Sequence, residues 1–448
     1  MAAIRQFYKD STVLISGATG FLGQTMLEKT IRTLQPRKAY LLIRKKKGLD
    51  AQQRLQKLMQ GAVFDRVRSL STVPTKVEAI EVDMTRQDLA LNAETRRQLE
   101  QEVNVVFQLA ASVSFNEPLE VSLRENVQNN LHLYDLVKQM KNLQSAMQVS
   151  TMYSNCDNST IREKVYTDVG FGGYDSIANL LSQLSDPEKD ALTPFIVKNL
   201  PNTYAFAKKC VEAKIQQEYS NIPVGIFRPP GITSTYEEPL VGWINNLYGP
   251  GGYMLPILLG LYSAVFVDST KVPMFAPVDY CSNALLLSAV DVARNFNPTQ
   301  DNIPVYNYAD SCCPNYGKMY DYLLEGLPWP KRYIYRHFMN TRTTNESHYR
   351  LAVHLMRSHA SAVDQIRIWT GQRPGIRKAI ERVLQMMEKS RLLTTTTWEV
   401  ENANVRRIQQ NLDPEERKLF PCDLRTVDWR QHFADFTIGT KKHVLKMG

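Results

Sequence analysis

The feature that most constrains this chain is a short apolar run followed by three glycines at intervals of three residues. Residues 12–16 (TVLIS) predict a strand, Gly17, Gly20 and Gly23 follow, and a helix is predicted over 24–34. In such a turn the first glycine permits the sharp bend, the second lets the backbone approach a pyrophosphate, and the third lets helix and strand pack closely. The free N–H groups at the helix start then face the phosphates. The spacing therefore predicts a dinucleotide site near the N-terminus.

Strands and helices alternate along most of the chain. After the first strand, further strands are predicted over 39–44, 77–82, 105–110, 146–151, 224–228 and 305–308. A polar insertion is expected from 155 to about 200, and from about 329 the chain looks helical. This alternation predicts an α/β fold, a doubly wound parallel sheet of the Rossmann type. We expect one domain over 1–330 and a basic helical domain over 331–448.

The positive charge of the chain is concentrated at its C-terminal end. The chain holds 54 lysines and arginines against 45 aspartates and glutamates, and residues 331–448 hold 22 against 12. A solvated basic face is the ordinary explanation, and attraction to the phosphates of a ligand or a membrane surface is the functional one. Nucleic acid is not expected as a partner, because the basic residues are not interleaved with aromatic residues in a recognisable module.

Cysteine spacing and hydropathy exclude two classes of protein. The six cysteines show no C-x-x-C and no zinc spacing, so we expect reduced, buried thiols in an intracellular protein and no metal site. The longest apolar run, 254–267, is interrupted by Pro256 and Gly260 and is shorter than the roughly 18 residues of a spanning helix. We predict no transmembrane helix, although this run could lie against a membrane surface or line an apolar tunnel.

The end of the second predicted strand indicates which dinucleotide binds. An acidic residue there would hold the ribose 2′-hydroxyl of NAD, but this strand ends in Arg44 and three lysines. Because an arginine can pair with a 2′-phosphate, we predict NADPH with Arg44 as the first candidate for its phosphate. The other predicted cofactor contacts lie in the glycine loop or at strand ends: Gly17, Thr19, Gly20, Phe21, Leu22, Gly23, Asp83, Met84, Ala110 and Ala111.

A tyrosine and a lysine four residues apart form the candidate catalytic pair. Tyr204 and Lys208 share one face of a predicted helix, so the ammonium is expected to favour the phenolate and to bring the tyrosine pKa closer to neutrality. Lys208 could also hold the nicotinamide ribose, and Lys209 points about 100° away. Thr151 is the preferred hydroxyl for the substrate carbonyl, with Ser150 close behind, because both end a strand at the carboxyl edge of the sheet.

These motifs resemble those of the fatty acyl-CoA reductases, within the extended short-chain dehydrogenase/reductase superfamily. The resemblance rests on GATGFLG (17–23), FQLAASVSFNEPL (107–119), VSTMYSN (149–155), YAFAK (204–208), FRPPGITSTYEEPLVGWINNLYGPGG (227–252), APVDYCSNALL (276–286) and DLRTVDWRQHFADFTIGTKKHVL (423–445). It implies that NADPH reduces a long-chain acyl-CoA to the primary alcohol, with Thr151 and Tyr204 assisting at the thioester carbonyl. CoA is released and the bound aldehyde is reduced in turn. The basic C-terminal segment would then attract the phosphates of CoA.

The chain departs from the family pattern in three places. Gln108 stands where relatives usually carry histidine, and residues 126–130 (NVQNN) lack the N-x-x-G-T pattern, which leaves the role of Asn126 open. Residues 351–374 correspond to a membrane-anchoring stretch of family members but carry several charged side chains. A charge at the centre of a spanning helix costs about 3 kcal/mol. We therefore expect an insect-like member without an evident transmembrane segment.

The sequence is compatible with several cellular locations and with more than one function. We expect an intracellular protein, either cytosolic or peripheral on the membrane of the endoplasmic reticulum, the peroxisome or lipid droplets. One functional alternative is an extended reductase that acts on a different carbonyl substrate. The other is a non-catalytic relative that binds a nucleotide or acyl-CoA.

Overall fold

The computed structural model describes residues 3–70, 76–254, 263–299, 302–335 and 340–446. Most of the apolar run over 254–267 therefore lies outside the described residues. The strands are β1 (Thr12–Ser16), β2 (Lys38–Ile43), β3 (Val77–Glu81), β4 (Val105–Gln108), β5 (Ser145–Val149), β6 (Thr160–Ile161), β7 (Val224–Arg228), β8 (Gly231–Thr233), β9 (Ser263–Phe266), β10 (Phe275–Pro277), β11 (Val305–Asn307), β12 (Asn340–Thr343) and β13 (Glu399–Val400).

The helices flank these strands and dominate the C-terminal part. They are α1 (Ala3–Lys9), α2 (Phe21–Lys29), α3 (Ala51–Met59), α4 (Asp65–Arg68), α5 (Ala93–Glu102), α6 (Leu119–Leu123), α7 (Asn129–Val137), α8 (Tyr174–Ser182), α9 (Asp186–Val197), α10 (Thr203–Glu218), α11 (Pro250–Tyr253), α12 (Val278–Asn295), α13 (Tyr316–Glu325), α14 (Lys331–Ile334), α15 (Glu346–Trp369), α16 (Ile376–Lys389), α17 (Arg391–Thr395), α18 (Ala403–Asn411), α19 (Pro414–Leu419) and α20 (Trp429–Gly439). Short 3₁₀ turns are Ala62–Phe64, Met152–Asn155 and Leu424–Thr426, and π-helical turns are Thr30–Leu34, Arg124–Gln128 and Thr440–Val444.

A seven-stranded parallel sheet forms the centre of the first compact unit. The strand order is β11-β7-β5-β4-β1-β2-β3, and every neighbouring pair is parallel. The direction of winding reverses between β1 and β4, which is where open α/β sheets bind their ligands, beyond the carboxyl ends of the strands. The side chains of β1, β5 and β7 are buried along their whole length, as expected for central parallel strands. The predicted Rossmann sheet is thus confirmed.

Two groups of helices cover this sheet. Helix α12 packs on α2 and lies along β5 and β7, while α10 packs on α6 and α7. Most residues of helix α12 are buried, which is typical of a helix inside a large core. These contacts fix α10 beside the carboxyl end of β5.

Each of the two compact units is assembled from three segments of the chain. The first unit comprises Met1–Pro230, Val278–Ala309 and Val400–Asp423, and the second comprises Gly231–Pro277, Asp310–Glu399 and Leu424–Gly448. This division differs from the single boundary expected near 330, because the chain crosses between the units several times. The second unit contains two small parallel sheets, β8 with β10 and β9 with β12, and its helices include the packed pairs α13 with α20 and α15 with α16. Its C-terminal part is helical, as predicted.

The predicted polar insertion from 155 to about 200 contains two helices, α8 and α9. Ser185 begins α9 with a capping box, in which its side chain and that of Glu188 exchange hydrogen bonds with the backbone at the helix start. In the described part of the chain, no helix is long and apolar enough to span a bilayer.

Candidate active site

The glycine loop occupies the carboxyl end of β1 in a conformation that side chains would prevent. Gly17 has φ +73°, and a Cβ atom there would lie 2.6 Å from the backbone nitrogen of Ala110. A Cβ atom on Gly23 would lie 2.2 Å from the carbonyl oxygen of Gly17. Gly20 precedes the first turn of α2 and makes no side-chain cap hydrogen bond, and backbone N–H groups at a helix start attract anions. The close backbone contacts therefore exclude a side chain at Gly17 and at Gly23.

Gln108 links β4 to β1, the strand that leads into the glycine loop. The Ser16 hydroxyl donates to the Gln108 side-chain oxygen, and the Gln108 amide donates to the side-chain oxygen of Asn130 and, at 3.3 Å, to the carbonyl of Ala110. The Ala110 N–H in turn donates to Ser16 Oγ at 3.3 Å. Gln108 and Asn130 are each 1% exposed. The departure at 108 thus forms a satisfied buried network that holds Ala110 against Gly17.

Asn126 anchors the loop that follows β4. Its side-chain oxygen accepts from the backbone N–H of Ser112 at 3.0 Å, and its amide donates to the carbonyl of Ser122 at 3.1 Å. Asn126 lies in a π-helical turn, a distortion that is common at functional sites. Ala111, which lies between Ala110 and Ser112 on the same loop, is exposed. The altered 126–130 stretch therefore still supports the loop over the predicted cofactor site.

Two arginines gather beside the glycine loop. Arg44 is exposed and lies 3.6 Å from a carboxylate oxygen of Glu125. Arg54, on α3, donates to the carbonyl oxygen of Arg44 and, at 3.4 Å, to the Thr19 hydroxyl. Burial and then the positive charge of Arg44 lower the pKa of Arg54, which remains a cation at neutral pH. Sequence reasoning missed Arg54, since its distance of 35 residues from Thr19 gives no local signal.

Asp83 and Met84 lie just beyond β3. The Asp83 carboxylate accepts from the hydroxyl of Thr85 at 2.6 Å and from its N–H at 3.0 Å, and these hydrogen bonds lower the pKa of Asp83. Met84 is buried, and its carbonyl oxygen lies 3.0 Å from a ring nitrogen of His132. One carboxylate oxygen of Asp83 is therefore engaged within the turn, and the side chain is exposed.

Tyr204 and Lys208 lie on the first two turns of α10. Asn202 begins this helix, and its side chain accepts from the N–H of Ala205 at 2.9 Å. Lys208 is 1% exposed, and its ammonium donates to the carbonyl of Val149 at 2.9 Å while lying 6.0 Å from the Tyr204 ring centroid. Burial lowers the pKa of Lys208 to about 8, although the negative charge of Glu212 opposes this shift.

Burial raises the pKa of Tyr204 above its ordinary value, opposite to the direction predicted from the sequence. The Lys208 ammonium lies over the ring and donates to a backbone carbonyl, so it does not contact the phenol oxygen. Within the described residues, the Tyr204 hydroxyl has no hydrogen-bond partner, and its ring packs against Phe115 at 6.0 Å between centroids. Tyr204 therefore stays protonated at neutral pH, which is the form that a proton donor needs.

The hydroxyls of Thr151 and Ser150 differ in availability. Thr151 Oγ1 accepts from the N–H of Tyr153 at 3.3 Å and, among the described residues, donates to no group. The Ser150 hydroxyl donates to a carboxylate oxygen of Glu212. Both residues follow β5, at the same carboxyl edge as the Lys208 ammonium. The geometry favours Thr151 over Ser150 as the hydroxyl that contacts a substrate.

A fully buried ion pair lies beneath this edge. Arg228, at the end of β7, and Glu212, on α10, are 0% and 1% exposed, and they share hydrogen bonds of 2.6 and 3.0 Å. Sequence reasoning missed both, because a glutamate on a helix usually indicates a solvated face. The described residues contain no cluster of ligands that could hold a metal ion, and the described cysteines are free thiols.

The sequence matches two family models and several named relatives. Residues 15–285 match the family model NAD_binding_4, described as Male sterility protein, and residues 355–447 match the Sterile model, which has the same description. Fatty acyl-CoA reductase wat of Drosophila melanogaster is 32% identical over 99% of this chain and 86% of that protein. Fatty acyl-CoA reductase 1 of Rattus norvegicus is 31% identical over 99% of this chain and 87% of that protein.

The fold is shared with reductase domains of known structure. The terminal R domain of the myxalamid biosynthetic pathway superposes with a TM-score of 0.65 at 17% identity, covering 98% of this chain and 92% of that one. The reductase domain of a nonribosomal peptide synthetase from Mycobacterium tuberculosis gives a TM-score of 0.62 at 14% identity, covering 100% and 96%. The family models and the full-length relatives together show that this chain belongs to the fatty acyl-CoA reductase family.

Proposed function

We propose that this protein reduces a long-chain fatty acyl-CoA to the primary alcohol with NADPH and releases CoA. One observation carries the proposal: the same edge of the sheet holds four features of a reductase site. These are the glycine loop, the Thr151 hydroxyl, which donates to no group among the described residues, the protonated phenol of Tyr204 and the buried ammonium of Lys208. NADPH supplies the hydride in each of the two reductions that convert an acyl thioester into an alcohol.

The residues around the glycine loop fit a phosphorylated dinucleotide. The backbone N–H groups that begin α2 suit the pyrophosphate. Thr19, Arg44 and Arg54 lie together where β2 ends, and this positive corner suits a 2′-phosphate better than a free ribose hydroxyl. Lys208 retains donors beyond its bond to Val149, which suits the hydroxyls of the nicotinamide ribose.

The catalytic residues act on the developing oxyanion. As the thioester carbon is reduced, negative charge grows on its oxygen, and Thr151 and Tyr204 donate hydrogen bonds to it. The hemithioacetal then collapses, the C–S bond breaks and CoA leaves as the thiolate. The aldehyde carbonyl takes the same place for the second reduction. Tyr204, whose phenol is protonated at neutral pH, gives its proton to the alkoxide oxygen.

We also propose a peripheral membrane contact through the outer face of α15. Leu351, Leu355, Ile366 and Trp369 recur at helical spacing on this face, and Trp369 is 77% exposed. Ser358 and Ala362 separate the first pair from the second on this face, so the exposed apolar side chains form two groups. The second group adjoins the turn between α15 and α16, so a flat contact of this turn with a lipid surface would bury it.

The charge around this turn favours an anionic lipid surface. Residues 364–382 carry five arginines and lysines against two acidic residues, and Asp364 is held by backbone N–H groups at the start of α16. We expect binding to vesicles that contain phosphatidylserine and weaker binding to pure phosphatidylcholine. Trp369→Gln with Ile366→Gln should abolish sedimentation with the anionic vesicles, whereas Phe195→Gln, which removes an exposed apolar ring elsewhere, should not. Equal binding of both variants would contradict this contact.

The reductase proposal is tested by supplying acyl-CoAs of several chain lengths with NADPH. We expect NADPH oxidation and a fatty alcohol, and a loss of at least about 10²-fold in kcat for Tyr204→Phe, since a positioned acid contributes about 10²–10⁴-fold. Activity only on other carbonyl compounds would favour a different reductase. Binding of NADPH and acyl-CoA without turnover would favour the non-catalytic relative.

A further inference from the structure

Glu212 continues the ladder of functional residues on α10 but takes no part in the chemistry proposed above. Tyr204, Lys208 and Glu212 follow one another at intervals of four residues, so they lie on one face of the helix, a turn apart. The Glu212 side chain is 1% exposed. A carboxylate in such a place is expensive to bury unless its hydrogen bonds and its charge are both satisfied.

The Glu212 carboxylate accepts hydrogen bonds from residues on either side of Thr151 in the chain. One oxygen accepts from the hydroxyl of Ser150 and, at 3.1 Å, from that of Ser154, and the other accepts from the Asn155 amide at 3.3 Å. The single proton of the Ser154 hydroxyl is shared with the Thr151 carbonyl, which accepts it at 2.7 Å. Three side chains next to the catalytic hydroxyl thus converge on one carboxylate of the neighbouring helix.

Arg228 supplies the balancing charge and is itself fixed. Its guanidinium donates to both Glu212 oxygens, to the carbonyls of Arg162 and Lys164 at 3.1 and 2.9 Å, and to the Asn307 side chain at 3.4 Å. A bidentate arginine–carboxylate pair with its remaining donors satisfied is geometrically rigid. The turn, helix α10 and strand β7 are therefore joined through a single buried carboxylate.

We propose that Glu212 is a positioning residue that locks the Thr151 turn to the helix bearing Tyr204 and Lys208. The inference rests on the proposed function for its effect on turnover, but its effect on Lys208 can be measured without any acyl substrate. A purely structural pair would stabilise the protein and leave both properties unchanged once folding is restored.

The charges around Lys208 give the direction of the second effect. Its ammonium donates to the Val149 carbonyl from β5 and lies 6.0 Å from the Tyr204 ring centroid, and Glu212, on the same helix, is paired with Arg228. Burial depresses the pKa of Lys208 to about 8, and the Glu212 charge holds it up. Replacing Glu212 by glutamine removes this support, so the pKa of Lys208 should fall further.

The test compares Glu212→Gln, the double variant Glu212→Gln with Arg228→Met, and a control, Glu218→Gln. Glu218 lies on the same helix but is surface-exposed and paired with Lys214. The double variant removes the uncompensated cation, and apolar replacement of a buried ion pair is often tolerated. It therefore keeps the experiment interpretable if the single variant unfolds.

NADPH binding is measured by fluorescence as a function of pH. For both Glu212 variants we expect the loss of NADPH affinity at alkaline pH, the alkaline limb, to move to lower pH. We also expect kcat for acyl-CoA to fall by about 10²-fold, the effect of a misplacement of about 1 Å, with KM little changed. The control should match wild type. A double variant with wild-type kcat and an unmoved limb would overturn the inference. Wild-type protein that binds NADPH but does not reduce acyl-CoA would refute the proposed function, and the NADPH limb would still decide the role of Glu212.

Discussion

Replacement of Arg54 by glutamine should weaken NADPH binding and leave NADH binding nearly unchanged. The guanidinium lies between the Thr19 hydroxyl and the Arg44 carbonyl, within the positive corner next to the glycine loop. Two unit charges 4 Å apart interact with about 4 kcal/mol at an effective dielectric of 20. Arg54 is partly exposed, so salt and water reduce this, and hydrogen bonds to charged groups contribute about 1.5–3 kcal/mol. The KM for NADPH should therefore rise about 10- to 150-fold.

The neighbouring arginine should matter less. Arg44 is exposed and already lies near Glu125, so Arg44→Gln should raise the KM for NADPH by about 5-fold, the equivalent of about 1 kcal/mol. Steady-state kinetics with NADPH and NADH at fixed ionic strength measure both effects. Lys57→Gln removes an exposed cation from α3, the helix that carries Arg54, and serves as the matched control. If Arg54→Gln raised both KM values equally, or neither, the assignment of the phosphate corner would be wrong.

Three further predictions follow from single contacts. Gly23→Ala should weaken NADPH affinity at least about 10-fold in a fluorescence titration, because its Cβ would lie 2.2 Å from the Gly17 carbonyl oxygen; unchanged affinity would contradict the loop geometry. Wild-type kcat/KM should fall as pH rises through about 8, where the Lys208 ammonium deprotonates, whereas Lys208→Arg should show no such fall below pH 10. Gln108→Leu leaves buried polar groups without their hydrogen-bond partner, and each such group should reduce the free energy of unfolding by about 1–3 kcal/mol. Urea denaturation measures this change, and an unchanged midpoint would contradict the prediction.

The sheet could be predicted from the sequence because each of its strands is signalled locally. The run 224–228 predicts a strand with the bounds that β7 has, and the helix predicted over 24–34 is present as α2 and the π-helical turn Thr30–Leu34. The two helices in the insertion over 155–200 were not expected, because a polar composition obscured their caps. The interleaving of the two units could not be predicted, since it depends on contacts between distant segments.

The candidate site shows the same division between local and distant signals. The glycine loop and the pair Tyr204–Lys208 are local patterns whose spacing indicates their role. Arg54 and the ion pair of Glu212 with Arg228 are formed by residues that are remote in sequence, and nothing in their neighbourhood distinguishes them. The direction of the Tyr204 pKa was predicted wrongly because helical spacing gives proximity but not depth of burial.

The measurement that tests the central claim most directly is the stoichiometry of a single incubation with palmitoyl-CoA and NADPH. NADPH oxidation is followed by absorbance, free thiol by a chromogenic disulfide reagent, and products by mass spectrometry. A four-electron reduction at one site predicts two NADPH oxidised for each thiol released and each hexadecanol formed, with all three lost together in Tyr204→Phe. Thiol release without NADPH oxidation, or full turnover by Tyr204→Phe, would contradict it.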